Sequence, residues 1–200
     1  MTVSTAEQDA DIYSKLSKTA RAFIESTNSA TPRSNHPDYD LIRSYCAPHF
    51  RISWAPKLFA QNSPVLGAPQ DIHGFVEHIQ KMSNHLSTWA ILVQDVFVDV
   101  RKRTVIARAD FWMLPADGGD KVLNDIVFFI KCDETGEKVV DCCEYVDPFA
   151  SQQIKERISA KAWRESAAGQ TLGNGVKGTN GTDGLHHGDG EGIPPDGAAF

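Results

Sequence analysis

A few polar side chains interrupt otherwise apolar runs in the second half of this chain, and they have the chemistry to move protons. Glu144 and Asp110 are carboxylates set among Val, Ile, Phe, Trp and Cys, and Asn124 is an amide in a similar setting. A carboxylate against an apolar wall is held above its ordinary pKa, which suits general acid–base work near neutral pH. An amide can hydrogen-bond a substrate carbonyl or a developing enolate. The structural alternative for Glu144 is a bond to Asn124 or to an arginine on a neighbouring strand. Asp110 shares one strand face with Trp112, which reads as a proton-transfer group beside a stacking ring. The alternative there is an Arg108–Asp110 pair on an outer or dimer-forming surface. Trp54 ends an alternating stretch and can cover a flat ligand, but it cannot act as a base. Tyr13 lies beside the apolar stripe of the first helix, either at a cavity mouth or as an ordinary boundary residue. His85, just before a strand, is placed to reach the same cavity.

Other chemistries find little support. No Gly-rich phosphate loop follows a strand, and no G-x-S-x-G or Cys/His nucleophile pattern occurs, so covalent and cofactor-dependent mechanisms are not expected. His73 and Glu77 are one helical turn apart without an H-E-x-x-H motif, and no metal is expected. His78 reads as solvent-facing, and His186-His187 is too isolated to be a metal site. The four cysteines (Cys46, Cys132, Cys142 and Cys143) lack C-x-x-C spacing and read as reduced thiols used as small hydrophobes.

The hairpin from Lys121 to Pro148 decides which polar groups meet. Asp133-Glu-Thr-Gly136 is a strong turn signal between two runs rich in Val, Ile, Phe and Tyr. With Glu134–Gly136 as a three-residue loop, Ile130 faces Val140, Phe128 faces Cys142, Ile126 faces Glu144 and Asn124 faces Val146. Asn124 and Glu144 then share an apolar wall that includes Phe128, a further substrate contact. Asp125 and Asp141 point the other way. A four-residue loop would instead place Asp125 opposite Glu144. A left-handed Gly136 favours the first register.

The surrounding elements follow from periodicity. Helical spacing marks Asp9–Glu25, Asp38–Tyr45, Gln70–Met82 and Phe149–Ala162. Alternation marks His49–Trp54, Trp89–Val100, Thr104–Leu114 and the two hairpin arms. Ala55–Pro69, with three prolines and a glycine, is a loop of the kind that rims a pocket. Helices preceding a strand meander describe an α+β fold, with a curved antiparallel sheet wrapped around its helices as a cone with an internal cavity. Ten of the fifteen glycines lie beyond residue 168. The chain therefore divides into a cone domain, 1–165, and a Gly-rich tail, 166–200, read as disordered. Asn180-Gly-Thr182 is a chance glycosylation match, since no secretory signal is visible. A net charge of -6 with no Lys/Arg cluster argues against nucleic acid, no apolar run reaches membrane-spanning length, and a cytoplasmic location is expected.

Thr19-Ala-Arg-Ala-Phe23, Asn124-Asp-Ile-Val-Phe-Phe129, Asp133-Glu-Thr-Gly136 and Glu144-Tyr-Val-Asp147 carry a resemblance to the SnoaL-like branch of the nuclear transport factor 2-like superfamily. That superfamily includes ketosteroid isomerase and scytalone dehydratase. The chain looks most like fungal members, with Asp125 in place of their usual Glu and Pro148 in place of Ser. The resemblance implies a cofactor-free isomerase or cyclase acting on a bulky hydrophobic secondary metabolite, of polyketide or meroterpenoid type, and a homodimer. Trp54 stands where ketosteroid isomerase has an aspartate, and the long strands lack the two cavity histidines of scytalone dehydratase, which counts against dehydration. Glu144 and Asp110 are expected to move protons, Asn124 to orient a carbonyl, and Trp54 and Trp112 to pack rings. The alternative is a non-catalytic small-molecule-binding or dimerisation module of the same fold.

Overall fold

The computed structural model describes residues 5–31, 34–63, 65–116 and 118–159. The Gly-rich segment, with Asn180, His186 and His187, and the end of the last helix lie outside the described residues. The elements run α1 (Thr5–Glu25), α2 (Tyr39–Tyr45), β1 (Cys46–Ala55), α3 (Lys57–Gln61), α4 (Ile72–His85), β2 (Leu86–Asp99), β3 (Thr104–Pro115), β4 (Val122–Cys132), β5 (Val139–Tyr145) and α5 (148–159). This is the α+β order expected, with two changes. The 55–69 loop contains the short helix α3, and α4 extends to His85. Asp71 caps α4, its carboxylate accepting from Gly74 N at 2.9 Å.

The five strands form one curved, unclosed sheet in the order β1-β5-β4-β3-β2. Every pairing is antiparallel except β1 with β5, which is parallel. That parallel pair brings the early strand of Trp54 beside the late strand of Glu144. Each sheet edge is occupied at one point by a neighbouring segment. Asn28 uses its amide like a short strand, accepting from Ile91 N at 2.6 Å and donating to Ile91 O at 3.0 Å. On the other edge, Ile52 exchanges both backbone bonds with Gln70.

Period-two alternation sorts the side chains. Val105, Ala107, Ala109 and Met113 of β3 are buried, as are Asn124, Ile126, Phe128 and Ile130 of β4. Leu16, Ala20, Phe23 and Ile24 of α1 complete the core against this concave face. The outer face carries Arg108, Asp110, Asp125 and several exposed apolar side chains.

The hairpin differs from the expected register by two residues. Ile130 faces Cys142 and Phe128 faces Glu144, with an irregularity between Lys131 and Cys132. The cause is the Asp133 carboxylate, which accepts from Glu137 N at 3.0 Å, from Lys138 N at 3.2 Å and from Thr135 Oγ1. Asp133 N closes the loop onto Lys138 O, so the connection is longer than three or four residues. Gly136 does adopt the left-handed conformation, at φ 76°. Because the displacement is two, each side chain keeps its expected face, except that the irregularity buries Val139 in place of Val140. The turn is anchored to α1 through the buried bond from Thr19 Oγ1 to Gly136 O, 2.7 Å.

Replacing Asp133 by alanine removes the acceptor that sets this loop. We expect Asp133→Ala to lower the unfolding free energy by about 1–2 kcal/mol, read as a fall in urea midpoint at unchanged slope.

Candidate active site

Between the concave sheet, α4, the α3 segment and α5 lies a cavity of about 250 Å3. Met82, Phe111, Met113 and Ile126 give it an apolar lining, and His78, Asn124, Glu144 and Ser151 are its inner polar groups. A smaller chamber of about 50 Å3 adjoins it on the α1 side, and the two share His78, Met82, Phe111, Ile126 and Glu144. His78 and Glu144 therefore stand at the neck between them.

Glu144 is held by β5 opposite Trp54 of β1 and Phe128 of β4. Its one hydrogen bond among the described residues comes from the indole, Trp54 Nε1 donating to Oε2 at 2.9 Å. Neither structural alternative occurs among the described residues: Asn124 bonds to Ser151 and Asp147 N, and the strand arginines Arg51 and Arg108 bond to Pro69 O and Asp125. Burial pushes the Glu144 carboxyl up to about 7, and the indole bond holds it from rising further. The Trp54 ring also packs edge-on against the His78 imidazole, with centroids 5.2 Å apart.

His78 was expected to face solvent, and the structure corrects this. It is buried, on the side of α4 that carries Phe75 and Met82, because positions three and four apart share a helix face. Burial lowers its pKa to about 4, so near neutral pH the ring is uncharged. Its Nδ1 has no hydrogen-bond partner among the described residues.

Asn124 lines the cavity, but its amide also organises the chain after β5. Its Oδ1 accepts from Asp147 N at 2.8 Å, and its Nδ2 donates to Ser151 Oγ at 3.2 Å. The two-residue displacement puts it four positions along β4 from the partner of Glu144, about 13 Å along the strand. Asn124 and Glu144 thus share a cavity without being neighbours. One N–H of the amide stays available to a ligand.

The remaining expected residues divide. Phe128 is buried and lines the inner chamber. Asp110 and Trp112 lie on the outer sheet face, away from the cavity, because their strand positions alternate with the buried Ala109 and Met113. Asp110 accepts from Gln94 Nε2 at 2.9 Å. Arg108 pairs with Asp125, not with Asp110, in a two-bond contact of 3.0 and 2.9 Å. Tyr13 is half exposed along a shallow groove of α1. His85 is exposed at the end of α4 and does not line the cavity.

Three of the four thiols are unsuited to nucleophilic work. Burial pushes Cys46 up to about 12 and Cys132 up to about 11, and Cys142 is raised further. Glu77 reaches Lys81 Nζ at 2.8 Å, one turn away from His73. Among the described residues no three His, Cys, Asp or Glu side chains group to hold a metal, and no helix is long and apolar enough to cross a membrane.

No protein-family model and no curated protein matches the chain. Solved structures do resemble it. The BvnE pinacolase of Penicillium brevicompactum superposes with a TM-score of 0.63 at 18% identity, over 76% of this chain and 99% of its own. PrhC of Penicillium brasilianum gives 0.64 at 14% identity, over 76% and 92%. A SnoaL-like protein of Shewanella denitrificans, provisionally named a polyketide cyclase, gives 0.52 at 9% identity, over 71% and 97%. At these identities the likeness is one of fold.

The two neck residues titrate in opposite senses. Glu144 is raised from 4.5, so the stability it contributes is present below pH 4.5 and lost as pH rises through about 7. His78 is lowered from 6.5, so its contribution is present above pH 6.5 and lost as pH falls through about 4. Where the windows overlap the slopes oppose each other. We expect Glu144→Gln, which keeps an acceptor for Trp54, to be more stable than wild type at pH 8 by about 2–3 kcal/mol. The two proteins should converge below pH 4.5, where Glu144 is protonated in both the folded and the unfolded chain, as measured by urea denaturation at pH 8 and at pH 4.

Proposed function

The chain has the SnoaL-like fold of the nuclear transport factor 2-like superfamily, and we propose that it is a cofactor-free isomerase or cyclase acting on a hydrophobic secondary metabolite by general acid–base chemistry. The observation that carries this reading is the Glu144 carboxyl. It opens onto an apolar cavity, its only hydrogen-bond partner among the described residues is a neutral indole, and its pKa is near 7. Such a group accepts a proton from carbon and returns it at comparable cost, which is the requirement for shifting a double bond or closing a ring through an enol. The neighbours' names, a pinacolase and a provisional polyketide cyclase, agree with rearrangement and cyclisation of carbonyl-rich carbon skeletons.

In this reading Glu144 takes the proton alpha to a substrate carbonyl and delivers it to a second position of the same molecule. Trp54 fixes the carboxyl's orientation. Asn124 offers its remaining N–H to an oxygen at the far end of the cavity. Asp110 has no part, because it lies outside the cavity. At about 250 Å3 the cavity is just below the usual size of ligand sites, so it takes a compact ring system, with any bulkier part left at the rim of α3 and α5. A carrier or dimerisation module would gain nothing from an unneutralised buried carboxyl, so we favour catalysis over the binding-module alternative.

We further propose that two copies pair through the outer sheet face. Phe97, Trp112, Phe129 and Tyr145 are all at least 40% exposed there, and Phe129 and Tyr145 already pack together at 5.4 Å. Burying such a patch against a copy of itself is favourable.

Three outcomes test these proposals. In D2O the protein should catalyse exchange of the α-protons of a two-ring ketone such as 1-indanone, followed by NMR. Glu144→Gln should reduce that rate by about 10²–10⁴-fold, and an unchanged rate would end the acid–base assignment. Trp54→Phe removes the bond that lowers the Glu144 pKa, so the pH–rate limb should move up by about half to one unit. A Trp112→Arg/Phe129→Arg double variant should give half the wild-type mass by light scattering at equal concentration, and equal masses would refute the pairing.

A further inference from the structure

Two buried polar atoms remain without partners among the described residues, and both belong to residues that line the inner chamber. They are His78 Nδ1 and Trp89 Nε1. His78 is 8% exposed and Trp89 7% exposed, so neither has bulk water to fall back on. Trp89 is fixed by its edge-on contact with Phe111 at 5.8 Å, and His78 by the similar contact with Trp54. The rest of the chamber's lining is mostly hydrocarbon, from residues such as Phe23, Phe75, Ile91 and Phe128, and its other polar side chain, Thr27, already donates its hydroxyl to Ile24 O at 2.7 Å. The Glu144 carboxyl stands at its entrance.

Buried donors and acceptors are paired in folded proteins, and a cluster left unpaired needs a reason. An indole N–H can only donate, so whatever completes it must bring an acceptor. The neutral imidazole has one donor and one acceptor nitrogen, and it matches either a carbonyl or a hydroxyl. A chamber of about 50 Å3 is too small for a ring but large enough for a carbonyl group or one water.

We propose that the inner chamber is an oxygen-binding subsite, which takes the carbonyl oxygen of a ketone substrate while its ring fills the outer cavity, with Trp89 and His78 as the groups that receive it. This deepens the acid–base reading and rests on it for the ketone's fate. An oxygen drawn past the neck places its α-carbon beside Glu144, which would remove the proton. The electron pair of the broken C–H bond moves to form C=C, and the carbonyl becomes an enolate or enol held by the two donors. In a β,γ-unsaturated ketone the resulting dienolate takes the proton back from Glu144 at the γ-carbon, which re-forms C=O and shifts the C=C; in a simple ketone the proton returns to the α-carbon, and no other reactant is needed. His78 and Trp89 are then catalytic residues in the sense of touching the reacting oxygen, and Phe111 and Met82 gate its entry.

The test compares 1-indanone with indane, which has the same two-ring frame and no acceptor. Binding of each is measured calorimetrically to wild type, Trp89→Phe and His78→Phe, with melting curves to show that the variants fold. The carbonyl stretch of bound 1-indanone is recorded by isotope-edited infrared spectroscopy. Wild type should prefer the ketone, with its stretch shifted to lower frequency as for a hydrogen-bonded carbonyl. Trp89→Phe should weaken ketone binding about tenfold while leaving indane within about twofold. It should also return part of the frequency shift, and His78→Phe should act the same way. If ketone preference and stretch are unchanged in both variants, the chamber holds at most a water and the subsite is refuted. Glu144→Gln separates this from the acid–base reading. Proton exchange lost in that variant, with ketone preference insensitive to Trp89 and His78, would leave the function standing and remove the subsite. Ketone preference that tracks Trp89 and His78, with no Glu144-dependent exchange, would keep the subsite and remove the acid–base role.

Discussion

The bond from Trp54 Nε1 to Glu144 Oε2 joins the first strand to the last, and the character of the cavity depends on it. It exists because β1 pairs with β5 in parallel, which sets position 54 opposite position 144. A cationic partner at position 54 would have drawn the carboxyl toward its ordinary range and fixed it as a permanent anion. A hydrocarbon would have left it with no partner at all. An indole does something intermediate: it satisfies one lone pair without supplying charge, so the proton affinity remains near neutrality. The same ring abuts His78, and a single side chain thereby sets the position of both titratable groups at the neck.

The sheet separates two kinds of polar group by the parity of its strands. On the convex side, Arg108 and Asp125 pair through two bonds, and Asp110 is bonded to Gln94. These contacts are solvated and contribute little to stability. On the concave side the polar groups are few, and each is surrounded by hydrocarbon. Asn124 is satisfied by the backbone and by Ser151, and so it ties β4 to the start of α5, which forms one wall of the cavity.

Much of this was legible in the chain itself. Alternation assigned Glu144, Asn124 and Phe128 to one face because a strand leaves each residue only two directions to point. The register was less legible. Turn chemistry identified Asp133–Gly136 correctly, but the Asp133 side chain also captures the amides of Glu137 and Lys138, and that reach is a three-dimensional property. The displacement was even, so the faces survived while the neighbours changed. Asp110 and Trp112 were placed on their own strand correctly, but which face turned inward depended on α1 covering Ala107 and Ala109. His78 had a signal that went unused: it stands three residues after Phe75 and four before Met82, on the flank of the apolar stripe. The parallel pairing of β1 with β5 had no local signal, since it joins residues ninety positions apart.

Three buried side-chain atoms lack a partner among the described residues, and two of them border one small chamber. Each such group costs about 1–3 kcal/mol of folding free energy, and a carboxyl held near pH 7 adds a further penalty at neutral pH. Hydrocarbon substitutes of similar shape would remove these penalties and fill the same space. A chain that keeps them together, while satisfying its polar groups on the outer face, has concentrated its instability at one place. In the proposed reading the groups there would receive an oxygen acceptor, with the carboxyl placed to act on the carbon beside it.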